Sequence, residues 1–363
     1  MGSDISAYLA AARDPTAVGA SAEAARMRVA YLDLLKLSLC DLAGSSTGSV
    51  GRMEDGRLVS RRLVGDDRQV RLVGMDWPLQ GLTMVGLARL DDLQRCVESV
   101  VGDRVEGDLV EAGAWRGGAS ILIRATLDSL GAEERTVWVA DSFRGFPSSE
   151  AGGITGGRDL DDDAPFEFLS VPLEEVRDHF SRLGYEDGVR FVPGFFQETM
   201  PTLRGRRWAL IRLDGDTYEA TRLTLEALYP GLAVGGYLVV DDYGVIDDCR
   251  RAVDEYRSEQ GITEPLEEVD WASVRWRRET AGPEEPSAPA PAGPEPSVAD
   301  AQAAVADRSG AEVPTDRERA LENELEALRG RFDRAEVEAA RGWGGVTERA
   351  ASWVRRLANR RRP

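Results

Sequence analysis

The 363-residue chain predicts an α/β fold with a mostly parallel, doubly wound sheet. Three observations predict it. Apolar runs of strand length alternate with stretches of helical spacing, as in sheets buried on both faces. A glycine-bearing turn follows the first such strand, as in nucleotide-binding units. Acids close the strands, where the carboxyl ends of neighbouring parallel strands meet and ligands bind.

Residues 1–22 are small and polar and read as a loose leader. Residues 23–42 have helical spacing, with Met27, Ala30, Tyr31, Leu34, Leu35 and Leu39 on one face. A Gly- and Arg-rich stretch to about Val73 reads as loop with short pieces of order. Residues 77–84 lead into an amphipathic helix over 86–101. Together residues 23–105 form a helical cover over the pocket, or a surface for a homo-oligomer.

Residues 106–280 carry the sheet. The strand 108–111 ends at Glu111 and runs through Gly113, Gly117 and Gly118 into a helix reaching Leu127. Glycine there lets backbone approach a ligand that a β-carbon would block. The spacing is not GxGxxG, and Glu111 would repel a pyrophosphate; it suits a cationic cofactor with an amino-acid end. A second strand, 136–140, ends at Asp141, placed to hold the two hydroxyls of a ribose. Residues 148–165, rich in Gly and Asp, predict a loop over the site. A helix over 173–183 and a strand over 189–192 follow, then a turn at Pro193 and Gly194 beside the cofactor's adenine end.

The stretch 208–244 organises the rest. Residues 208–213 form an apolar strand closed by Asp214, Gly215 and Asp216, and Thr217 caps the next helix. Gly235 and Gly236 turn the chain into strand 237–240, closed by Asp241 and Asp242. The four aspartates should therefore converge. Like charges do not gather at a buried rim without a neutralising partner, and a hard divalent cation such as magnesium is the natural one. A helix over 248–260 and two short strands, near 266–269 and 274–277, complete the sheet with an antiparallel edge. The only histidine, His179, falls in a polar helix and is not assigned to catalysis.

Residues 281–314 change to Pro, Ala, Glu and Gly and read as a linker. Residues 315–363 read as a helical tail. A marginal coiled-coil pattern runs through Leu321, Leu325, Leu328 and Phe332. A basic amphipathic end follows, with Trp343 and Trp353 among arginines, suited to an anionic membrane surface or an acidic partner.

Composition narrows the classes. There are 64 acids against 45 bases, a net charge of −19, which argues against nucleic-acid binding through phosphate contacts. Three dispersed cysteines imply reduced thiols and a cytoplasmic protein. No apolar run reaches the roughly 18 residues of a membrane span, and the first residues lack a signal-peptide pattern.

The runs LVEAGAWRGGASI, VWVADSFRGFP, LIRLDGDTYEATRLTLEALYPGL and GGYLVVDDYG, with DWPLQGLTMVGLARLDDLQRCVESV ahead of them, resemble the macrocin O-methyltransferase family. The resemblance spans about 28–279. It implies a Rossmann-like class I methyltransferase fold, S-adenosylmethionine as methyl donor, Mg2+, and the sugar hydroxyl of a small-molecule glycoside or saccharide as substrate. It implies Asp214, Asp241 and Asp242 as metal ligands and Asp216 as general base. Glu111, Gly113, Arg116, Gly117, Gly118 and Ser120 would line the methionine end of the cofactor. Asp141, Ser142 and Phe143 would hold its ribose side, and Thr83 and Met84 would close over it. Ala112 departs from the family, which has a small polar residue there. Two rival readings stand beside this one: a catechol-type phenolic O-methyltransferase, and a non-catalytic membrane-associated assembly protein acting through the tail.

Overall fold

The computed structural model describes residues 22–54, 57–145 and 168–280. The expected leader up to residue 21, the whole 148–165 loop, the linker and the tail lie outside the described residues. The order of elements begins with α1 (Ala22–Leu39), a hairpin of β1 (Ser46–Glu54) and β2 (Arg57–Val64), a short α2 (Gln69–Leu72) and α3 (Gly86–Gly102). The sheet unit follows: β3 (Asp108–Ala112), α4 (Gly118–Ser129), β4 (Val137–Asp141), α5 (Leu173–Leu183), β5 (Val189–Pro193), α6 (Phe196–Thr199), β6 (Trp208–Leu213), α7 (Tyr218–Leu228), β7 (Leu232–Val240), α8 (Asp247–Gln260), β8 (Glu267–Glu268) and β9 (Val274–Arg277).

The seven strands are ordered β5-β4-β3-β6-β7-β9-β8. The five strands from β5 to β7 are parallel, and β9 and β8 close the edge antiparallel, as the sequence predicts. The chain winds outward from β3 through β4 to β5, then returns to place β6 on the other side of β3. That reversal leaves a crevice above the carboxyl ends of β3 and β6, the usual ligand position in such sheets. Side chains alternate between two cores. Leu109, Val137, Val139 and Ala209 pack with α1, α3 and α4. Val110, Trp138, Ile211, Leu213 and Leu238 pack with α7 and α8.

Three expectations need correction. The stretch to Val73 is no loop, because β1 and β2 pair antiparallel from Ser46↔Val64 to Glu54↔Arg57. Its residues are too small and polar to reveal a strand by apolar alternation. Helix α1 buries Ala25, Leu32, Leu35 and Leu39 but leaves Met27, Tyr31 and Leu34 exposed, so the inward face is rotated from the predicted one. Asp33 and Lys36 are also inside, where Lys36 pairs with Asp33 and with Asp91 of α3. Strand β7 starts at Leu232, ahead of the two glycines. Register jumps from Trp208↔Leu232 to Leu210↔Tyr237, a bulge that Gly235 accommodates at φ +87°.

Candidate active site

The first layer of the site comes from the crevice strands. Gly113 follows β3 at φ +91°, and an added β-carbon would lie 1.8 Å from the Asp214 carbonyl oxygen. Only glycine lets these two chain ends touch. The Asp214 amide donates to the Ala112 carbonyl at 2.8 Å, and the Asp241 amide to the Leu213 carbonyl at 2.9 Å, so the ladder continues into the acids. Asp214, Asp216 and Asp242 each bring a carboxylate oxygen within 4.8 Å of the others. Asp216 is held at φ +56°, a left-handed conformation tolerated by aspartate and asparagine.

Asp241 is placed differently from the other three. It is buried, and both its oxygens are taken by arginines: Arg212 Nη2 donates to Oδ1 at 2.7 Å, and Arg89 Nη1 donates to Oδ2. The sequence reading put Asp241 among the metal ligands; among the described residues the cluster that forms consists of Asp214, Asp242 and Asp216.

The electrostatics follow from burial. Glu111, Asp214, Asp241 and Asp270 pair with the buried guanidinium groups of Arg89 and Arg212, and Asp216 and Asp242 cluster with Asp214. Burial, then the charge of Asp214, pushes Asp216 up to about 7. Burial and the charges of Asp214 and Asp216 hold Asp242 well above the carboxylate range, and burial with Asp241 raises Asp214. For Asp241 burial alone would raise the value, but Arg212 and Arg89 together keep it below the usual one. The Asp242 Oδ2 atom is buried without a hydrogen-bond partner. A cluster of hard oxygen donors with surplus negative charge and one orphaned oxygen fits a divalent cation.

The cofactor side forms at β3 and β4. Glu111 is fully buried, with Oε1 accepting from Arg212 Nη1 at 2.6 Å and Oε2 from the Ser120 hydroxyl. Burial nonetheless pushes its carboxyl up to about 7. Asp141 accepts from the amides of Ala114 (2.8 Å), Trp115 (3.0 Å) and Phe143 (2.8 Å), and Ser142 Oγ donates to the Gly145 carbonyl at 2.5 Å. Its carboxylate thus shapes the two loops it joins, with lone-pair capacity left for a ligand. Phe143, at φ +53°, packs edge-on to Phe191. Pro193 pairs with Asp141 across β4 and β5, and the Gly194 amide donates to the Asp141 carbonyl at 3.0 Å.

The cover meets this turn directly. A β-carbon on Gly118 would lie 2.5 Å from the Leu82 carbonyl, to which the Gly118 amide donates at 3.0 Å. Gly117 sits at φ +83° against Phe180. Both glycines therefore serve packing of the turn. Thr83 is buried and Met84 half-buried beside it. Arg116 Nη1 donates to the carbonyls of Pro78, Leu79 and Gly81 at 3.2, 3.2 and 2.9 Å, and its guanidinium lies over Trp115 and Phe168. That guanidinium ties the cover to the turn. His179 Nδ1 lies 3.1 Å from the Arg116 carbonyl, and its Nε2 lies 3.9 Å from Glu175.

Sequence reasoning missed Arg89, Arg212 and Asp270. An arginine inside the apolar run 208–213 was a signal, since a buried charge needs partners. Arg89 and Asp270 carried none.

The family model for Macrocin-O-methyltransferase (TylF) matches residues 49–278. The chain is 46% identical over 252 residues to the 8-demethyl-8-(2,3-dimethoxy-alpha-L-rhamnosyl)-tetracenomycin-C 4'-O-methyltransferase of Streptomyces olivaceus, covering 69% of this chain and 93% of that protein. It is 41% identical over 262 residues to the mycinamicin III 3''-O-methyltransferase of Micromonospora griseorubida, covering 68% and 96%. The solved structure of the O-methyltransferase NovP superposes with a TM-score of 0.62 at 40% identity, covering 70% of this chain and all of that one. With the sheet order, the crevice and these matches together, the chain belongs to the macrocin O-methyltransferase family.

Proposed function

We propose that the chain transfers a methyl group from S-adenosylmethionine to a sugar hydroxyl of a glycosylated natural product, with a magnesium ion in the acid cluster. The observation that carries this is the convergence of Asp214, Asp216 and Asp242, with the buried Asp242 Oδ2 left unpartnered, next to the Glu111 turn. Asp214 and Asp242 would hold the metal. Bound there, a divalent cation lowers the pKa of a coordinated hydroxyl. Asp216, with a carboxyl pushed up to about 7, is matched to accept a proton near neutral pH. Glu111, once ionised, would meet the cofactor's amino group, and Asp141 would meet its ribose. The relative whose name carries a rhamnosyl group supports a glycoside substrate over a phenol.

The test is methyl transfer from labelled S-adenosylmethionine to a panel of glycosides and catechols, with magnesium and with chelator. We expect transfer to glycosides, abolished by chelator. Preference for catechols would move the reading to a phenolic substrate, and transfer indifferent to chelator would remove the metal from it.

A further inference from the structure

Arg212 occupies the centre of the site without belonging to either of its halves. It sits in β6 opposite Glu111 of β3 and Val239 of β7, in register on both sides. Strand side chains alternate, so Asp241, two residues beyond Val239, and Asp214, two beyond Arg212, extend from the same face as Arg212. One guanidinium therefore reaches three acids. Nη1 lies 2.6 Å from Glu111 Oε1 and 2.9 Å from Asp214 Oδ2, and Nη2 lies 2.7 Å from Asp241 Oδ1. The group is almost wholly buried at 3% exposure, so these bonds are poorly screened. Behind it, Arg89 of α3 takes the other Asp241 oxygen. Arg89 Nε donates to Asp270 at 3.0 Å, and the second Asp270 oxygen accepts from the Ala272 and Ser273 amides at 2.9 Å each.

We propose that Arg212 is a positioning residue shared by both halves of the site. It holds Glu111 for the cofactor's amino end and Asp214 for the cation, with the Asp241–Arg89–Asp270 chain as its fixed anchor. The inference rests on the function proposed above. A single planar fork fixes the angles among three carboxylates, which a point charge cannot do. Loss of the fork therefore disturbs cofactor and metal binding together, although neither ligand would touch Arg212.

The experiment measures two affinities separately on purified protein: S-adenosylhomocysteine by calorimetry without metal, and Mn2+ by electron paramagnetic resonance without cofactor. Wild type is compared with Arg212→Lys, Arg212→Met and Arg89→Lys, each checked by circular dichroism and measured at low temperature, where the folded population dominates. Groups that orient metal ligands typically contribute 10–100-fold to affinity. We expect both affinities to fall about tenfold or more in Arg212→Lys. Arg212→Met should fall further, and Arg89→Lys less, since it acts one step back. If wild type binds neither ligand, the proposed function itself fails. If wild type binds both and folded Arg212→Lys binds both as tightly, or loses only one, Arg212 is not the shared positioning group. Should Arg212→Met fail to fold, the two lysine variants, which keep the charge, decide the matter.

Discussion

At the scale of single residues, the site is governed by burial acting on carboxyl groups. Glu111 is the clearest case, raised from an ordinary 4.5 to about 7, with burial outweighing the help of Arg212 and Ser120. Between these two values the folded chain keeps a proton that the unfolded chain has released. This group's contribution to stability is therefore full below about 4.5 and lost as pH rises to about 7. Ligand affinity runs the opposite way, because a cationic amino group prefers the ionised carboxylate. We predict that S-adenosylhomocysteine affinity climbs as pH rises through about 7 and then levels. Calorimetry from acid to mildly alkaline pH checks it, and Glu111→Gln should flatten that climb. Asp216 offers a second prediction. Its left-handed backbone accepts asparagine but is strained for alanine, so Asp216→Asn should keep the fold while cutting turnover by 10²-fold or more, the scale of a lost general base. A variant melting like wild type with full turnover would remove Asp216 from the base role.

At the scale of elements, the turn after β6 does two jobs. Thr217 ends the acid loop and begins α7, its hydroxyl oxygen accepting from the Ala220 amide at 3.1 Å. The cap sets where the helix starts and so where Asp214 and Asp216 sit. Thr217→Ala should cost about 1 kcal/mol by denaturant titration, with Thr217→Ser retaining most of it. Gly113 is the stricter position. Its φ of +91° and the 1.8 Å approach to the Asp214 carbonyl leave no place for a methyl group. Gly113→Ala should separate β3 from β6 and abolish Mn2+ and S-adenosylhomocysteine binding together. Normal binding of either ligand by that variant would show that the two chain ends need not touch.

At the scale of the whole molecule, the cover is held together by buried charge. Lys36 of α1 pairs with Asp33 at 3.1 Å and with Asp91 of α3, all nearly enclosed. Arg71 of α2, fully buried, binds Asp76 through two bonds of 2.7 Å and the Cys40 and Gly48 carbonyls at 3.0 and 2.9 Å. Breaking one partner of such a pair leaves an uncompensated buried charge, which costs about 3–5 kcal/mol. Lys36→Met should therefore lower the unfolding midpoint markedly in urea. Removing Asp91 as well, in Lys36→Met with Asp91→Asn, should recover part of the loss. No recovery would mean the helices are held by their apolar contacts instead.

The sheet was legible in the residues because its cues are local. Near-continuous apolar runs, the Gly113 turn and the Asp214 and Asp242 strand ends each lie within a few neighbouring positions, and they place the acids at one rim without further help. The hairpin of β1 and β2 was not legible: its strands hold small and basic residues, and only the pair Asp55-Gly56, a dipeptide favoured in tight turns, hinted at it. The inward side of α1 was also hidden, since helical spacing identifies a stripe but not what will cover it. By itself the amino-acid order determined the alternation of strands and helices, the position of the crevice and the chemistry class of its rim. Tertiary structure alone decided which carboxylates face one another. Arg89 reaches Asp241 across 152 positions and Arg212 reaches Glu111 across 101. A buried charge takes whichever partner the packed fold brings within bonding distance, and no local pattern encodes that choice.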